Sequence, residues 1–206
     1  MRTFVAAALC TVLAFAVGAE AAAGATGKPC ARKGSKTIAS NSHARVYSVP
    51  TADGTRLYGC LRRDNHRRLL TVASDDGYVT SSVYDHVTMV GRFVAWQQTD
   101  TDISCKADCP PGYDPTTTYL GLRDLRRKRD WTVAGEVDPH GRVVLTTGGA
   151  LAWTEPGYAV KAYDGSGART LDSGTAIEPG SLQRHGNSVS WRDAGQTRTA
   201  ALTPRS

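Results

Sequence analysis

The chain has 206 residues and a formal net charge of +6, from 25 Lys and Arg against 19 Asp and Glu. This length suits one domain with a buried core, or two small domains at most. The 19 Arg, 23 Thr and 17 Val far outnumber the 6 Lys and 4 Glu. Because Lys and Glu favour helix surfaces whereas Thr and Val favour sheet, this composition argues against a helical bundle or coiled coil.

The N-terminal residues have the features of a secretory signal peptide. Arg2 supplies a positive charge, residues 4–17 form an apolar run of 14 interrupted only by Thr11, and the A-E-A sequence at 19–21 fits a cleavage site. The run is shorter than the ~20 residues that span a bilayer, which argues against a membrane anchor. We expect residues 1–22 to be a signal peptide, the mature protein to be secreted, and no transmembrane segment to follow.

The cysteine count indicates disulfides. Of the five Cys residues, Cys10 lies inside the signal peptide, so the mature chain keeps four. An even number in an exported chain predicts two disulfides, and of the three possible pairings we favour Cys30 with Cys60 and Cys105 with Cys109. A metal site at Cys105 and Cys109 is the rival interpretation, which is weakened because no second Cys pair or His cluster lies nearby.

A short segment recurs four times along the mature chain. It is a turn with Gly or Ser, two or three apolar residues and an aromatic residue, as SHARVY at 42–47, GRFVAW at 91–96, GALAW at 149–153 and GNSVSW at 186–191. A short strand precedes each copy and an alternating strand follows it. Each copy therefore predicts an antiparallel meander with tight turns. We expect a single β-repeat domain over residues 35–206, after an N-terminal linker over 23–34 that carries Cys30.

The alternating strands make the pattern more specific. They are YGCLRRD at 58–64, YLGLRD at 119–124 and YAVKAYD at 158–164, each ending at an Asp turn before a basic strand, whereas TRTAAL at 197–202 stops before such a turn. These segments resemble the blades of WD-repeat, Kelch and, most closely, Tol-associated β-propellers, and they are similar to segments of exported proteins of high-GC bacteria. The WD dipeptide and the Kelch double glycines are missing.

The resemblance implies an all-β fold, a propeller-like array of about four antiparallel four-stranded meanders. The same strands would also fit a β-sandwich or an open sheet. The last copy lacks a fourth strand, and in propellers such a gap can be filled from the other terminus. Residues before Lys36 would then complete the last meander, with the disulfide between Cys30 and Cys60 locking the closure.

Residues 97–118 form an insertion in the second copy, between its second and third strands. Its candidate binding residues are four carboxylates and one aromatic side chain, Asp100, Asp102, Asp108, Tyr113 and Asp114. Oxygen ligands at this density would suit calcium, the one cofactor considered. Counted from Asp100, the sixth and twelfth positions hold Cys105 and Pro111 instead of the Gly and Glu of an EF-hand, which excludes that motif. The insertion is then either a binding loop with Tyr113 as its aromatic anchor or a polar surface loop held by a disulfide.

The run RDLRRKR at 123–129 is strongly basic. Such a run favours an anionic partner, and because exported proteins rarely meet nucleic acid, we expect weak attraction to an anionic cell-wall surface and no nucleic acid. The alternative is a set of solvated hairpin tips, since Arg residues recur at the equivalent turn of the first copy, at Arg62, Arg63, Arg67 and Arg68.

The sequence predicts no catalytic residue. It has no G-x-S-x-G nucleophile turn, no H-E-x-x-H motif and no Gly-rich phosphate loop. These observations favour a secreted, non-enzymatic binding or scaffold module that recognises an extracellular protein or polymer. The alternative is a hydrolase or lyase acting on a cell-wall or extracellular polymer, which a cleft that joins His86 to Asp100, Asp102 or Asp114 would favour.

Overall fold

The computed structural model describes residues 30–75, 80–104, 110, 112–127 and 129–205. These residues form antiparallel β-strands in chain order, with one short 3-10 helix at Pro179–Ser181. The all-β prediction is confirmed. Among the described residues, no helix combines the length and apolar character needed to cross a bilayer.

The first two meanders have four strands each. The first contains β1 (Lys36–Ser40), β2 (Ala44–Thr51), β3 (Gly54–Leu61) and β4 (His66–Asp75), and the second contains β5 (Thr80–Val90), β6 (Phe93–Asp102), β7 (Thr116–Asp124) and β8 (Arg129–Ala134). The end of β4 pairs with the start of β5, Ser74 with Ser82 and Asp75 with Ser81. This short ladder joins the two meanders into one eight-stranded sheet.

The third and fourth meanders are separate sheets. The third contains β9 (Val143–Leu145), β10 (Leu151–Glu155), β11 (Ala159–Asp164) and β12 (Gly167–Ser173), and the fourth contains β13 (Gln183–His185), β14 (Ser188–Asp193) and β15 (Gln196–Ala201). The four aromatic segments lie on the second strand of each meander, β2, β6, β10 and β14. Among the described residues, the fourth meander has three strands.

Buried clusters join successive meanders. Trp96 lies in the cluster between the first and second meanders, Trp153 in that between the second and third, and Trp191 in that between the third and fourth. Each Trp therefore packs in the cluster that its meander shares with the preceding one, and the first strands β1, β5, β9 and β13 of successive meanders lie side by side. No buried cluster of the described residues joins the first meander to the fourth, and no closed ring of sheets is detected there.

The N-terminal segment covers the outer face of the first meander. Cys30 and Cys60 form the predicted disulfide, beside the buried Tyr47 ring, which stacks on Tyr58 at 5.6 Å. Closing a loop over a sequence separation of 30 residues stabilises the fold by about 3 to 4 kcal/mol. This segment lies on the first meander, at the opposite end of the array from the fourth. The predicted pair Cys105 and Cys109 lies outside the described residues.

The second meander is longer than the sequence predicted. Its first strand begins at Thr80, and the ladder of β6 with β7 extends into the insertion, to the pair Thr101 and Thr116. Much of the insertion is therefore strand, because its alternating Thr residues favour a pleated sheet. We call residues 80–85, 97–102 and 116–118, with the described connecting residues 103, 104, 110 and 112–115, the arm. The ladder of β5 is irregular between Asp85 and Thr88, at the base of the arm.

Candidate functional site

Tyr113 and Asp102 form a contact at the tip of the arm. The Tyr113 hydroxyl donates to Asp102 Oδ2 at 3.1 Å, while the Ser104 backbone N–H donates to Asp102 Oδ1 at 3.0 Å. Hydrogen bonds from Ser104 hold the pKa of the Asp102 carboxyl below its usual range, so this acceptor is ionised at neutral pH. The Tyr113 ring is 47% exposed. It is thus an accessible aromatic side chain whose hydroxyl is hydrogen-bonded within the arm.

The other described binding candidates, Asp100 and Asp114, also accept hydrogen bonds within the insertion, and the nearby Asp114 charge contributes to a raised pKa of Tyr113 after the larger effect of Asp102. Asp100 accepts a hydrogen bond from Gln98 Nε2 at 2.8 Å, and Asp114 accepts one from the Thr116 backbone N–H at 2.8 Å. Asp108 lies outside the described residues. Within the described ranges, no three His, Cys, Asp or Glu side chains come together as metal ligands, and this includes His86 with the acidic residues.

The arm also exposes an aliphatic side chain. Val83 is 55% exposed and lies on β5 opposite Thr99 of β6. In the adjoining ladder of β6 with β7, burial and the neighbouring Asp100 raise the pKa of Tyr119 to about 12. The Tyr119 hydroxyl therefore stays protonated at neutral pH and hydrogen-bonds to Asp100. The arm thus combines an ordered polar ladder with two exposed apolar side chains, Val83 and Tyr113.

Two of the Asp turns are buried structural elements. Asp124 is 1% exposed and accepts hydrogen bonds from Arg92 Nε at 2.8 Å and from the Arg126 backbone N–H at 2.9 Å. Asp164 is 0% exposed and accepts one from Arg169 Nη1 at 2.6 Å. Burial alone would raise the pKa of Asp164, but these hydrogen bonds outweigh it and lower the pKa. The recurrence of Asp at one position of the repeat is the sequence signal for this role.

A cleft of about 490 Å³ opens at one edge of the first and second meanders. Strand direction alternates within a meander, so the hairpin turns β1–β2, β3–β4, β5–β6 and β7–β8 all lie at this edge. The turns contribute the lining residues, Ser42, His43, Leu61, Arg62, Arg63, Asp64, Arg92 and Arg126. The basic character of these turns was visible in the sequence, but their meeting at one cleft depends on how the two meanders pack.

The basic run 123–129 divides between two roles. Arg126 is exposed and lines the cleft, as the anionic-surface interpretation requires. Arg123 instead binds the Asp130 carboxylate and the Leu69 carbonyl oxygen. It therefore links β7 to β8 and to the first meander. The interpretation of the whole run as solvated hairpin tips does not describe Arg123.

A second cavity, of about 570 Å³, lies on the fourth meander. In it, His185 Nε2 lies 3.0 Å from Ser190 Oγ, and Arg192 Nη1 lies 3.8 Å from Glu178 Oε2. The hairpin of β13 and β14 brings His185 and Ser190 to one face, a contact that the sequence interpretation missed. In the described part of the chain, no hydrogen bond joins His185 to a carboxylate.

No protein-family model matches the chain, and no curated protein matches it. The function is therefore inferred from the arm, the cleft and the cavity themselves.

Proposed function

We propose that this chain is a secreted, non-enzymatic binding module. In this proposal a propeller-like array of meanders is a rigid scaffold, and the arm contacts an extracellular protein or polymer. Four meanders in chain order, with their first strands side by side and an aromatic residue in each buried cluster, support the propeller-like arrangement. Scaffolds of this kind carry their function on loops.

The observation that carries the proposal is the Tyr113 side chain, which is exposed and whose hydroxyl donates a hydrogen bond to Asp102. Tyrosine offers a large contact area with few rotatable bonds, so its ring loses little entropy when it binds. Such side chains are frequent anchors of interfaces. Val83 on the same arm adds aliphatic contact area.

Site-specific photocrosslinking tests this function. Tyr113 is replaced by a photoreactive benzoyl-phenylalanine in the exporting cells, and the matched control carries the same group at Tyr158, which is 42% exposed on the turn between β10 and β11. We expect illumination to give a discrete adduct with an extracellular component at position 113 and at least about fivefold less at position 158. Equal adducts at both positions, or none at position 113, would overturn the arm as the contact surface.

A hydrolase acting on an extracellular polymer is the second candidate, and the contact between His185 and Ser190 favours it. At 3.0 Å, His185 Nε2 is close enough to take the proton from Ser190 Oγ as that oxygen attacks a substrate carbonyl. The candidate lacks, among the described residues, a carboxylate that would orient His185. Release of soluble fragments from the polymer, abolished by Ser190→Ala, would identify this activity.

A further inference from the structure

We propose that the cleft between the first and second meanders binds the oxyanion groups, phosphate or carboxylate, of a linear anionic polymer of the cell envelope. This inference rests on the proposed binding function. It adds a second contact surface, separate from the arm, and assigns its ligand class.

The charge of the cleft selects an anion. Four guanidinium groups line it. The carboxylates of Asp64, in the lining, and of Asp124, paired with Arg92, offset two of these charges. With His43 counted as uncharged, the cleft has a net charge of two positive units. Guanidinium groups bind phosphate and carboxylate oxygens through paired, charge-assisted hydrogen bonds. Leu61 provides an apolar wall, which suits the carbon skeleton of a polymer better than a free ion.

Two of the four arginines are held in place before a ligand arrives. Arg62 donates from Nε to the Asn41 carbonyl oxygen at 2.9 Å and from Nη2 to Ser40 Oγ at 2.6 Å. Arg92 donates from Nε to Asp124, and its guanidinium lies 4.7 Å from the centre of the Phe93 ring. A guanidinium has five N–H donors, so each retains further donors for a ligand.

The other two arginines are available to close on a bound polymer. Arg63 is exposed, and its one ion pair within the described residues is a 3.9 Å contact with the neighbouring Asp64. Arg126 is exposed and forms no ion pair within that part of the chain. A ligand that binds Arg63 and Arg126 therefore does not have to break a strong internal pair.

At the equivalent edge of the third and fourth meanders, the C-terminal residues of the chain cover the hairpin turns. The Thr203 backbone N–H donates to Asp164 Oδ2 at 3.0 Å, and the Arg205 backbone N–H donates to the Gly148 carbonyl oxygen at 2.8 Å. The Arg205 guanidinium lies 3.9 Å from the centre of the Tyr163 ring. The chain itself fills that edge, whereas the edge of the first two meanders keeps its cleft of about 490 Å³ open.

A binding titration with two variants of equal charge tests the cleft. The cleft variant carries Arg63→Gln and Arg126→Gln, and the control carries Arg67→Gln and Arg127→Gln, sequence neighbours that are exposed but do not line the cleft. The probes are inorganic polyphosphate and poly-L-glutamate, measured by calorimetry at 0.15 M salt. We expect the cleft variant to bind at least about tenfold more weakly than the wild type, and the control to change by less than about threefold, because screening limits the effect of distant charges.

Each outcome of this titration has a defined meaning. Binding of polyphosphate, of polyglutamate or of both, with selective loss in the cleft variant, supports the proposal and identifies the oxyanion. Equal losses in the two variants, no binding of either polymer, or tighter binding of a single-stranded oligonucleotide would overturn it. The Tyr113 crosslink reports on the arm separately. If the Tyr113 crosslink forms but neither polymer binds, the cleft proposal is rejected and the proposed function stands. If the polymers bind at the cleft but no Tyr113 crosslink forms, the arm is rejected as a contact surface.

Discussion

At the scale of single residues, Asp164 shows how one side chain holds three segments together. Its carboxylate accepts hydrogen bonds from Ser166 in its own turn, from Arg169 on β12 and from Thr203 in the C-terminal segment. The group is fully buried, so the charge is stabilised by these donors in place of water. Asp124 has the same place in the second meander, with Arg92 and the Arg126 backbone as donors.

We expect Asp164→Asn to lower the free energy of unfolding by about 2 to 3 kcal/mol, because it weakens a buried charge-assisted hydrogen bond to Arg169 and leaves donors without an ionised acceptor. Urea denaturation at pH 7 measures this loss. The control, Asp53→Asn, changes an exposed turn residue and should stay within about 0.5 kcal/mol of the wild type. Similar values for the two variants would contradict the structural role of Asp164.

The effect of Asp164 on stability should also depend on pH. The pKa of this carboxyl is lowered in the folded state, whereas an unfolded Asp titrates near pH ~4. Its contribution is therefore fully present above that value and is lost as the pH falls through the lower folded-state pKa. The stability difference between wild type and Asp164→Asn should narrow below about pH 4. A difference that stays constant down to pH 2 would show that the ionised carboxylate is not the cause.

At the scale of strands, the pairing of β6 with β7 places Trp96 directly opposite Gly121. A methyl group at position 121 would overlap the Trp96 ring, because the indole occupies the space above the glycine. Gly121 is thus needed for close approach, and the Trp side chain is fixed in the cluster between the first and second meanders.

We expect Gly121→Ala to cost about 2 to 3 kcal/mol of stability, because the added methyl group overlaps the buried indole and forces the ring or the strands to shift. Gly174→Ala is the matched control, since a methyl group there meets no neighbouring atom, and it should be nearly neutral. In the double variant Trp96→Phe and Gly121→Ala, the smaller ring should recover part of the loss, so that the two costs are less than additive. Urea denaturation of Gly121→Ala, Trp96→Phe, the double variant and Gly174→Ala gives these values. A neutral Gly121→Ala would contradict the packing described for Trp96.

Strand positions in this chain could be predicted largely from local sequence. The apolar-aromatic segments and their Asp turns identified the second and third strands of each meander, and the even cysteine count led to the disulfide between Cys30 and Cys60. The extended ladder of the arm was missed, because an insertion rich in Asp and Thr carries few apolar residues to mark a strand. Side-chain alternation alone does not show that such a polar segment pairs with its neighbours.

The candidate sites were harder to predict, because they depend on contacts between distant segments. Arg62 and Arg126 lie at equivalent turns of two meanders, and only the packing of those meanders brings both to one cleft. Tyr113 was predicted as an anchor, but its hydrogen bond to Asp102 depends on the pairing of β6 with β7. Asp124 and Asp164 were predicted only as turn residues, and their burial by neighbouring segments could not be predicted from the sequence.

At the scale of the whole molecule, the array has two different edges. The C-terminal residues close the edge of the third and fourth meanders, while the cleft leaves the edge of the first two open. The arm extends the ladder of the second meander at the edge opposite the cleft turns, because the β6–β7 connection alternates with the β5–β6 and β7–β8 turns. Both proposed contact surfaces therefore belong to the first two meanders, and the His185 and Ser190 cavity belongs to the fourth.

Amide hydrogen exchange of the full chain tests the binding function most directly. Exchange is measured with and without the insoluble envelope polymer of the exporting cells, and the same samples are assayed for soluble polymer fragments. We expect polymer to slow exchange in the arm, at 80–83 and 116–118, and in the cleft turns, at 62–64 and 126–127, while the polymer stays intact. Release of soluble fragments that requires Ser190, with slowed exchange confined to 183–192, would contradict the binding module and identify an enzyme.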